Sequence, residues 1–382
     1  MIKPKKIILN LLAVTDGGQV TRSKAFLRNF DKFDSSSELI ILKRKGTLDF
    51  CHEIENISHK IIDVSLGGPR LRAWRRLFWE NMILKIIIKK ENPQIYLTFS
   101  HYIPRTIKKD IFSIMGVTNL APFSSLLLVN EPVSMRIKMK LLKRSILTSA
   151  KRANTIISLS KKCKEMLEIN GVKGEKIKVI NNGLDKDFIF EEKTSRTIAD
   201  KYNMDSKYIL YVSSFFPYKK FETVISAYKN LPIKLKEEYK LILVGPIQNK
   251  AYYQSLKELG DRDFFNKNII FLSEVPRQDL DYFYSNADLF IFASSIENCP
   301  NILLEAMSHS CPILCSSCEP MYEFGGDAVI YFDVNDPDDL KIKTERLISD
   351  PNQIKKLKEK SRLRAKNYSW YNFVDQVVSI YS

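Results

Sequence analysis

No run in this 382-residue chain approaches the roughly 18 uncharged apolar residues that a membrane-spanning helix needs. The opening stretch, MIKPKKIILNLLAVTDGG, enters Asp16 and a glycine pair without a small-residue cleavage site, so it reads as the start of a cytosolic strand. Gly/Pro-rich and low-complexity segments are also missing, and with 45% hydrophobic and 27% charged residues the composition excludes a disordered chain. There is no solenoid-type repeat. What the chain has is length: too much for one ordinary domain, and enough for two that each bury a core.

The six cysteines, without an export signal, are expected to be reduced thiols. His309, Cys311, Cys315 and Cys318 cluster and offer zinc-type ligands. A second paired-ligand unit is absent, however, and the intervening PIL reads as a buried strand whose alternating faces would scatter the thiols, so no metal is expected.

The net charge of +16 is unevenly placed: residues 1–201 hold 38 Lys and Arg against 20 Asp and Glu, whereas residues 202–382 hold 22 against 24. The first half is therefore expected to face an anionic partner, either nucleic acid or an acidic membrane surface. Its aromatics follow no RRM, zinc-finger or helix-turn-helix pattern, which argues against nucleic acid. The stretches RLRAWRRLFWENMILKIIIKK and RIKMKLLKRSILTSAKR combine cations with Trp, Leu and Ile. At helical spacing Leu71, Trp74, Leu77 and Phe78 group near one face, with Arg72, Arg75 and Arg76 around it. Such a face either packs on the domain's own sheet or lies on an anionic bilayer. The second is the expectation, with Arg72, Trp74, Arg75, Arg76, Lys140, Lys143 and Arg144 as contacts.

Apolar β-type runs (KIILNLLAV, LIILK, QIYLTFS, TIISLS, IKVI) alternate with helical patterns, pause in a polar stretch near residues 185–205, and resume as YILYVSS, KLILVG, NIIFLS and DLFIFAS. That rhythm predicts an α/β protein of two doubly wound, Rossmann-like parallel-sheet domains, residues 1–187 and 188–366, facing across a cleft. Residues 367–382 carry Trp370, Phe373, Val374, Val377 and Ile380 at helical spacing and predict a terminal helix returning onto the first domain.

Chemistry concentrates in DLFIFASSIENCPNILLEAMSHSCPIL. A strand is expected to end near Ala293 and a helix to begin near Pro300 or Asn301, because Pro is tolerated where the first amides lack partners. The first-turn N–H groups of Asn301 and Ile302 then form an anion site, with Asn298 and Leu303 as neighbouring donor-binding candidates. Glu297 and Glu305 bracket it; since carboxylates repel phosphate, their useful partners are hydroxyls. From the pair alone, a helix-associated Glu305 and a merely solvated Glu297 are an equal reading.

The surrounding residues separate the two. ENCPNILLE, with LLEAM and the downstream Pro312, resembles the Glu-x7-Glu region of the family 4 retaining glycosyltransferases, glycosyltransferase group 1, of GT-B fold. The resemblance implies that Glu297 faces a donor sugar and Glu305 binds the nucleotide ribose. Asn298-Cys299-Pro300 stands where many members have Gly-Phe-Gly, and Ser310 replaces a usual Gly. YVSSFFPYKKFETVISAY is similar to the first strand, loop and helix of the family's nucleotide domain. Lys219 takes the position of the diphosphate-binding Lys, Lys220 is its neighbour in register, and Ser214, beside Ser213, replaces a frequent Arg. VINNGLDKDF resembles the Asn-Gly-x-Asp hinge through Asn182, Gly183 and Asp185, and LILVGP puts Gly245 near the nucleotide. Gly17 and Gly18, between the first strand and first helix, allow close backbone approach to the donor. The family's donor-contacting His is not matched: Thr118 and Asn119 stand in the corresponding stretch, on the acceptor side, and His101 after YLTFS is the candidate for that role.

The implied activity is transfer of a hexose or N-acetylhexosamine, with retention and without a required metal, from a nucleotide-diphosphate sugar. The acceptor would be a glycan or lipid-linked glycan, in bacterial surface polysaccharide synthesis (lipopolysaccharide, O-antigen or capsule), at the inner face of the plasma membrane. A sugar-nucleotide epimerase and a basic nucleic-acid-binding protein are the alternatives.

Overall fold

The computed structural model describes residues 5–15, 17–54, 59–68, 71–124, 133–184, 192–204, 206–261 and 266–382. The chain forms two compact units, Met1–Gly183 with Ser369–Ser382, and Leu184–Tyr368. Asp185, expected in the hinge, lies outside the described residues.

Unit 1 holds a sheet of β1 (Lys6–Asn10), β2 (Glu38–Arg44), β3 (Lys60–Val64), β4 (Ile95–Thr98), β5 (Phe112–Val117), β6 (Thr155–Ser158) and β7 (Ile177–Val179), in the order β3-β2-β1-β4-β5-β6-β7. Every pairing is parallel. The central strands are continuous Ile/Leu runs because helices cover both faces, so no position faces water; β1, β4 and β6 are accordingly buried along almost their whole length. The order reverses between β1 and β4, and in open parallel sheets ligands collect beyond the carboxyl ends of strands at such a switch point.

The helix Trp370–Val378 belongs to unit 1, where it buries Trp370, Phe373, Val374, Val377 and Val378. Phe373 meets Phe99 with ring centroids 5.8 Å apart, and Tyr371 meets Phe33 at 4.4 Å. Gly183 is fixed by this packing: a Cβ there would sit 2.0 Å from the Trp370 nitrogen.

Unit 2 holds β8 (Lys207–Val212), β9 (Tyr239–Val244), β10 (Ile269–Leu272), β11 (Leu289–Phe292), β12 (Ile313–Ser316) and β13 (Ile330–Phe332), in the order β10-β9-β8-β11-β12-β13. Pairing is again parallel throughout. Its switch point lies between β8 and β11. The helix after β11 runs Asn301–Ser308 behind Pro300.

Candidate functional site

The loop after β8 and the loop after β11 meet at the switch point of unit 2. The Ser295 amide and hydroxyl both donate to the Tyr218 carbonyl at 2.9 Å, locking one loop to the other. The lock brings Lys219 and Glu297 together as an ion pair, with side chains 8% and 16% exposed. Lys219 is further held from behind, where the buried Tyr211 hydroxyl donates to its carbonyl and its ammonium lies 4.9 Å from the Tyr218 ring centroid. Lys220 does something else. It adopts φ +54 to start the helix Phe221–Lys229 and reaches Glu222 at 3.8 Å on the surface. Of the two lysines, only Lys219 pairs with Glu297.

Beyond Glu297 the chain passes the buried Asn298 and turns into the helix at Asn301. The Asn301 amide donates back to the Cys299 carbonyl at 2.9 Å, and the first i→i−4 bond is Leu304 N–H to Pro300 O at 3.1 Å. Of the two amides expected to receive an anion, Asn301 therefore already serves the turn, whereas Ile302, like Leu303, precedes the first intrahelical bond.

Glu305, one turn on, sits in a network. Its carboxylate takes Arg277 Nη1 at 2.9 Å and the buried Tyr284 hydroxyl at 3.2 Å. Arg277 also reaches the buried Asp281 at 3.3 Å, and His309 Nε2 lies 3.5 Å from the same Asp281 oxygen while its Nδ1 meets the Glu305 carbonyl at 2.9 Å. Burial pulls Arg277 down, but Glu305 and Asp281 more than reverse this and hold it above its ordinary value. Burial pushes Asp281 up, opposed by Arg277, and burial lowers His309. A carboxylate gripped on both oxygens keeps lone pairs for hydroxyl donors and little freedom to move. The i,i+4 spacings of Arg277 with Asp281 and of Glu305 with His309 were the available sequence signal for this network.

Ser213 is buried at the end of β8, and Ser214 is half-buried beside it. Gly245 has a local reason to be glycine: at φ +153, a Cβ would fall 1.8 Å from the Ser213 carbonyl oxygen. Cys311 and Cys315 are core packing groups. Cys311 donates to the Tyr284 carbonyl at 3.0 Å, and burial pushes the Cys311 and Cys315 thiols well up. Among the described residues no three His, Cys, Asp or Glu side chains are arranged to hold a metal.

Unit 1 presents its candidates at its own switch point. Gly17 opens the helix Gly17–Asn29 at φ +57, with Gly18 following, and Gln19 Nε2 donates to Thr118 Oγ at 3.1 Å, joining the first turn of that helix to the loop after β5. Asn119 accepts the Ala121 amide at 2.8 Å, a turn-forming bond. The buried Arg22 donates from Nε to Asn182 at 2.9 Å. His101 follows β4; burial, then Arg76, lowers it to about 4, so it is neutral, and its Nδ1 has no hydrogen-bond partner.

The basic helices differ residue by residue. From Leu71 to Ile86, Leu71, Trp74, Phe78, Met82 and Ile86 form an exposed apolar ridge, with Trp74 74% exposed. Arg75 is exposed beside it and donates to the Leu66 carbonyl at 3.4 Å. Arg72 and Arg76 turn inward, Arg76 towards the buried Glu80 at 3.5 Å. On the helix Val133–Arg152, Lys140 and Arg144 are exposed, as are Val133, Ile137 and Leu141, and Lys143 covers the Phe123 ring at 5.3 Å. No helix among the described residues is long and apolar enough to cross a membrane.

Two doubly wound parallel sheets of this order define the GT-B fold, and solved structures of that fold superpose on nearly the whole chain. HepE of Anabaena, in complex with UDP and glucose, does so with a TM-score of 0.73 at 13% identity, covering 98% of this chain and 99% of that one. WaaG, a glycosyltransferase involved in lipopolysaccharide biosynthesis, gives 0.71 at 15% identity, covering 98% and 99%. Residues 194–364, most of unit 2, match the family Glycosyl transferases group 1. O-antigen chain mannosyltransferase B of Escherichia coli is 31% identical over 176 residues, 46% of this chain and 45% of that protein. The serotype-specific mannosyltransferase WbdA of Escherichia coli is 24% identical over 230 residues, 59% of this chain and 28% of that protein. The match thus spans less than half the length of these relatives.

Proposed function

We propose that the chain is a retaining glycosyltransferase that moves a hexosyl unit, mannose foremost, from a nucleotide-diphosphate sugar to a lipid-linked glycan in bacterial surface polysaccharide synthesis. The observation that carries this reading is the Lys219–Glu297 pair at the β8/β11 switch point, set beside the first turn of Asn301–Ser308 with Glu305 on the same helix. These groups match the parts of a sugar nucleotide: a cation and amides for diphosphate, and carboxylates for sugar and ribose hydroxyls. Mannose is favoured because the two Escherichia coli relatives are named mannosyltransferases.

In the reaction, the Lys219 ammonium turns from Glu297 to the departing diphosphate and stabilises the charge that develops there. Glu297, released, takes a donor-sugar hydroxyl, and Glu305, fixed by Arg277 and Tyr284, takes the ribose. The acceptor attacks on the face from which the diphosphate departs, and a donor phosphate oxygen assists its deprotonation, so no protein nucleophile is invoked. Lys219 and the amides supply the counter-charge, and we assign no metal. Neutral His101 and the Gly17–Gln19 turn are the donor-facing candidates of unit 1, with Thr118 and Asn119 on the acceptor side. The ridge from Leu71 to Ile86, with its neighbouring cations, seats the enzyme on the inner leaflet. The test is a thermal-shift screen of UDP-, GDP- and ADP-sugars followed by transfer assays. Lys219→Ala and Glu305→Ala are expected to abolish transfer, and full activity with full donor affinity in both would overturn the assignment.

A further inference from the structure

At the carboxyl ends of β2 and β3, away from the switch point of unit 1, Arg44, Lys45, Thr47, Ser65 and Arg72 line a cavity of about 410 Å³ with the backbone of Gly46 and Gly67. Its walls are fixed. The Lys45 amide donates to the Val64 carbonyl at 3.1 Å, joining the two strand ends, and Gly67 leaves the space into which Arg75 reaches to hold Leu66. Gly46, at φ +70, has open space where a Cβ would be, so the turn can be approached closely.

Among the described residues, Arg44 and Arg72 form no ion pair with an acid. Arg44 Nη1 and Arg72 Nε are both enclosed and have no hydrogen-bond partner. Asp63, the acid on the neighbouring strand, is committed to the buried Lys43 at 2.9 Å, with His52 at 4.0 Å. Burial, and then the nearby Arg72, hold Arg44 below its ordinary value. Two guanidiniums that repel each other, each with an unused donor, are costly unless an anion joins them. A guanidinium fork presents its donors in one plane at the spacing of phosphate oxygens, which makes it more selective for that group than a lysine is.

We propose that this cavity binds a phosphate or pyrophosphate group, held between Arg44 and Arg72 with Lys45 at its rim. Two sources share that chemistry: a soluble phosphate compound, or a phospholipid whose chain meets the exposed ridge beginning at Leu71 and Trp74, immediately beside Arg72. The site does not depend on the transfer chemistry proposed for unit 2 and uses none of its residues; Arg72 is the one residue it shares with the proposed membrane face.

The test titrates inorganic pyrophosphate by calorimetry into the full chain carrying Lys219→Ala, so that the unit 2 cation is removed. The same protein then receives Arg44→Gln, Arg72→Gln or Lys45→Gln. Each arginine change is expected to weaken binding about ten-fold or more, the loss of one charge-assisted hydrogen bond. Lys45→Gln, on an exposed side chain that folding does not need, should weaken it about three-fold. Flotation with phosphatidylcholine vesicles, with and without phosphatidic acid, separates the sources. Loss of the phosphatidic-acid-dependent binding in the arginine variants assigns the group to a lipid, and unchanged vesicle binding with lost pyrophosphate binding assigns it to a soluble compound. Pyrophosphate affinity and vesicle binding unaltered in all three variants would overturn the proposal.

Discussion

Lys219 and Glu297 are more constrained by each other than either is by solvent, and this makes stability and function separable at the residue scale. Removing one partner of a buried pair leaves the other desolvated and uncompensated, whereas removing both can be nearly neutral. Lys219→Met is therefore expected to cost about 1–3 kcal/mol in urea unfolding, and Lys219→Met with Glu297→Gln should recover most of it while remaining inactive. Glu297→Gln alone has a second consequence. It frees the Lys219 ammonium for a diphosphate, so a nucleoside diphosphate without sugar should bind about three- to ten-fold tighter by calorimetry while sugar transfer falls. Weaker diphosphate binding in Glu297→Gln would show that Lys219 does not turn towards the donor.

The same scale carries a pH effect. Burial holds His59 and His101 down to about 4, His101 with help from Arg76, so both are neutral in the folded chain and charge readily once unfolded. Their folded values lie below the ordinary 6.5, so the stability they confer is complete above about 6.5 and is lost as pH falls towards and through 4. Buried Glu80 and Asp281 are raised, and act oppositely: what they confer is present in acid and lost as pH rises through their folded values. The histidine contribution is best isolated as a difference. Urea midpoints of the wild type and of His101→Gln should diverge at pH 7 and converge towards pH 4, and a constant difference would contradict the assignment.

At the scale of elements, Gly183 is where the two units' boundary becomes a packing problem. The Asn-Gly pair reads as a turn in sequence, but its glycine is required because the start of the helix Trp370–Val378 occupies the place of a side chain. Gly183→Ala must push that helix from its site against Phe99 and Phe33, and overpacking of this kind costs about 1–3 kcal/mol. A fall in melting temperature, together with faster hydrogen exchange in residues 370–378, is the expected result; an unchanged melting temperature would mean the helix shifts freely.

Elements of this kind were unevenly legible. The strands on either side of the switch points, such as KIILN and LFIF, are unbroken apolar runs because both their faces are covered, and they read directly from sequence. β3, KIIDV, mixes exposed and buried positions at the sheet edge, and β13 has only three residues, so neither carries a distinctive run. The site was legible where its residues share a loop or helix, as Glu297 and Glu305 do. Arg277, Asp281 and Tyr284 were not, since they lie on a separate helix and reach Glu305 only through the fold. The inward turn of Arg72 and Arg76 was hidden for a related reason: helical spacing assigns a face, but not whether an acid such as Glu80 waits beneath it.

For the whole molecule the governing fact is the split of charge, with the excess of Lys and Arg confined to the first 201 residues. Unit 1 also carries the apolar ridge from Leu71 to Ile86 and the exposed Val133, Ile137 and Leu141. An amphipathic surface of this type binds anionic bilayers through two separable contributions, apolar insertion and attraction of cations to head groups worth about 1 kcal/mol each. The two respond to different perturbations. On vesicles containing phosphatidylglycerol, Trp74→Ser with Phe78→Ser should remove most binding at every salt concentration, because insertion is not screened. Lys140→Gln with Arg144→Gln should weaken binding about ten-fold in low salt and much less near 0.5 M, where the Debye length has shrunk well below its value of about 8 Å at physiological ionic strength. In the wild type Trp74 emission should shift to the blue on adding anionic vesicles and remain unchanged with neutral ones. If instead the protein binds neutral and anionic vesicles alike, or neither, the ridge is not a membrane seat and the basic half must meet its anion elsewhere.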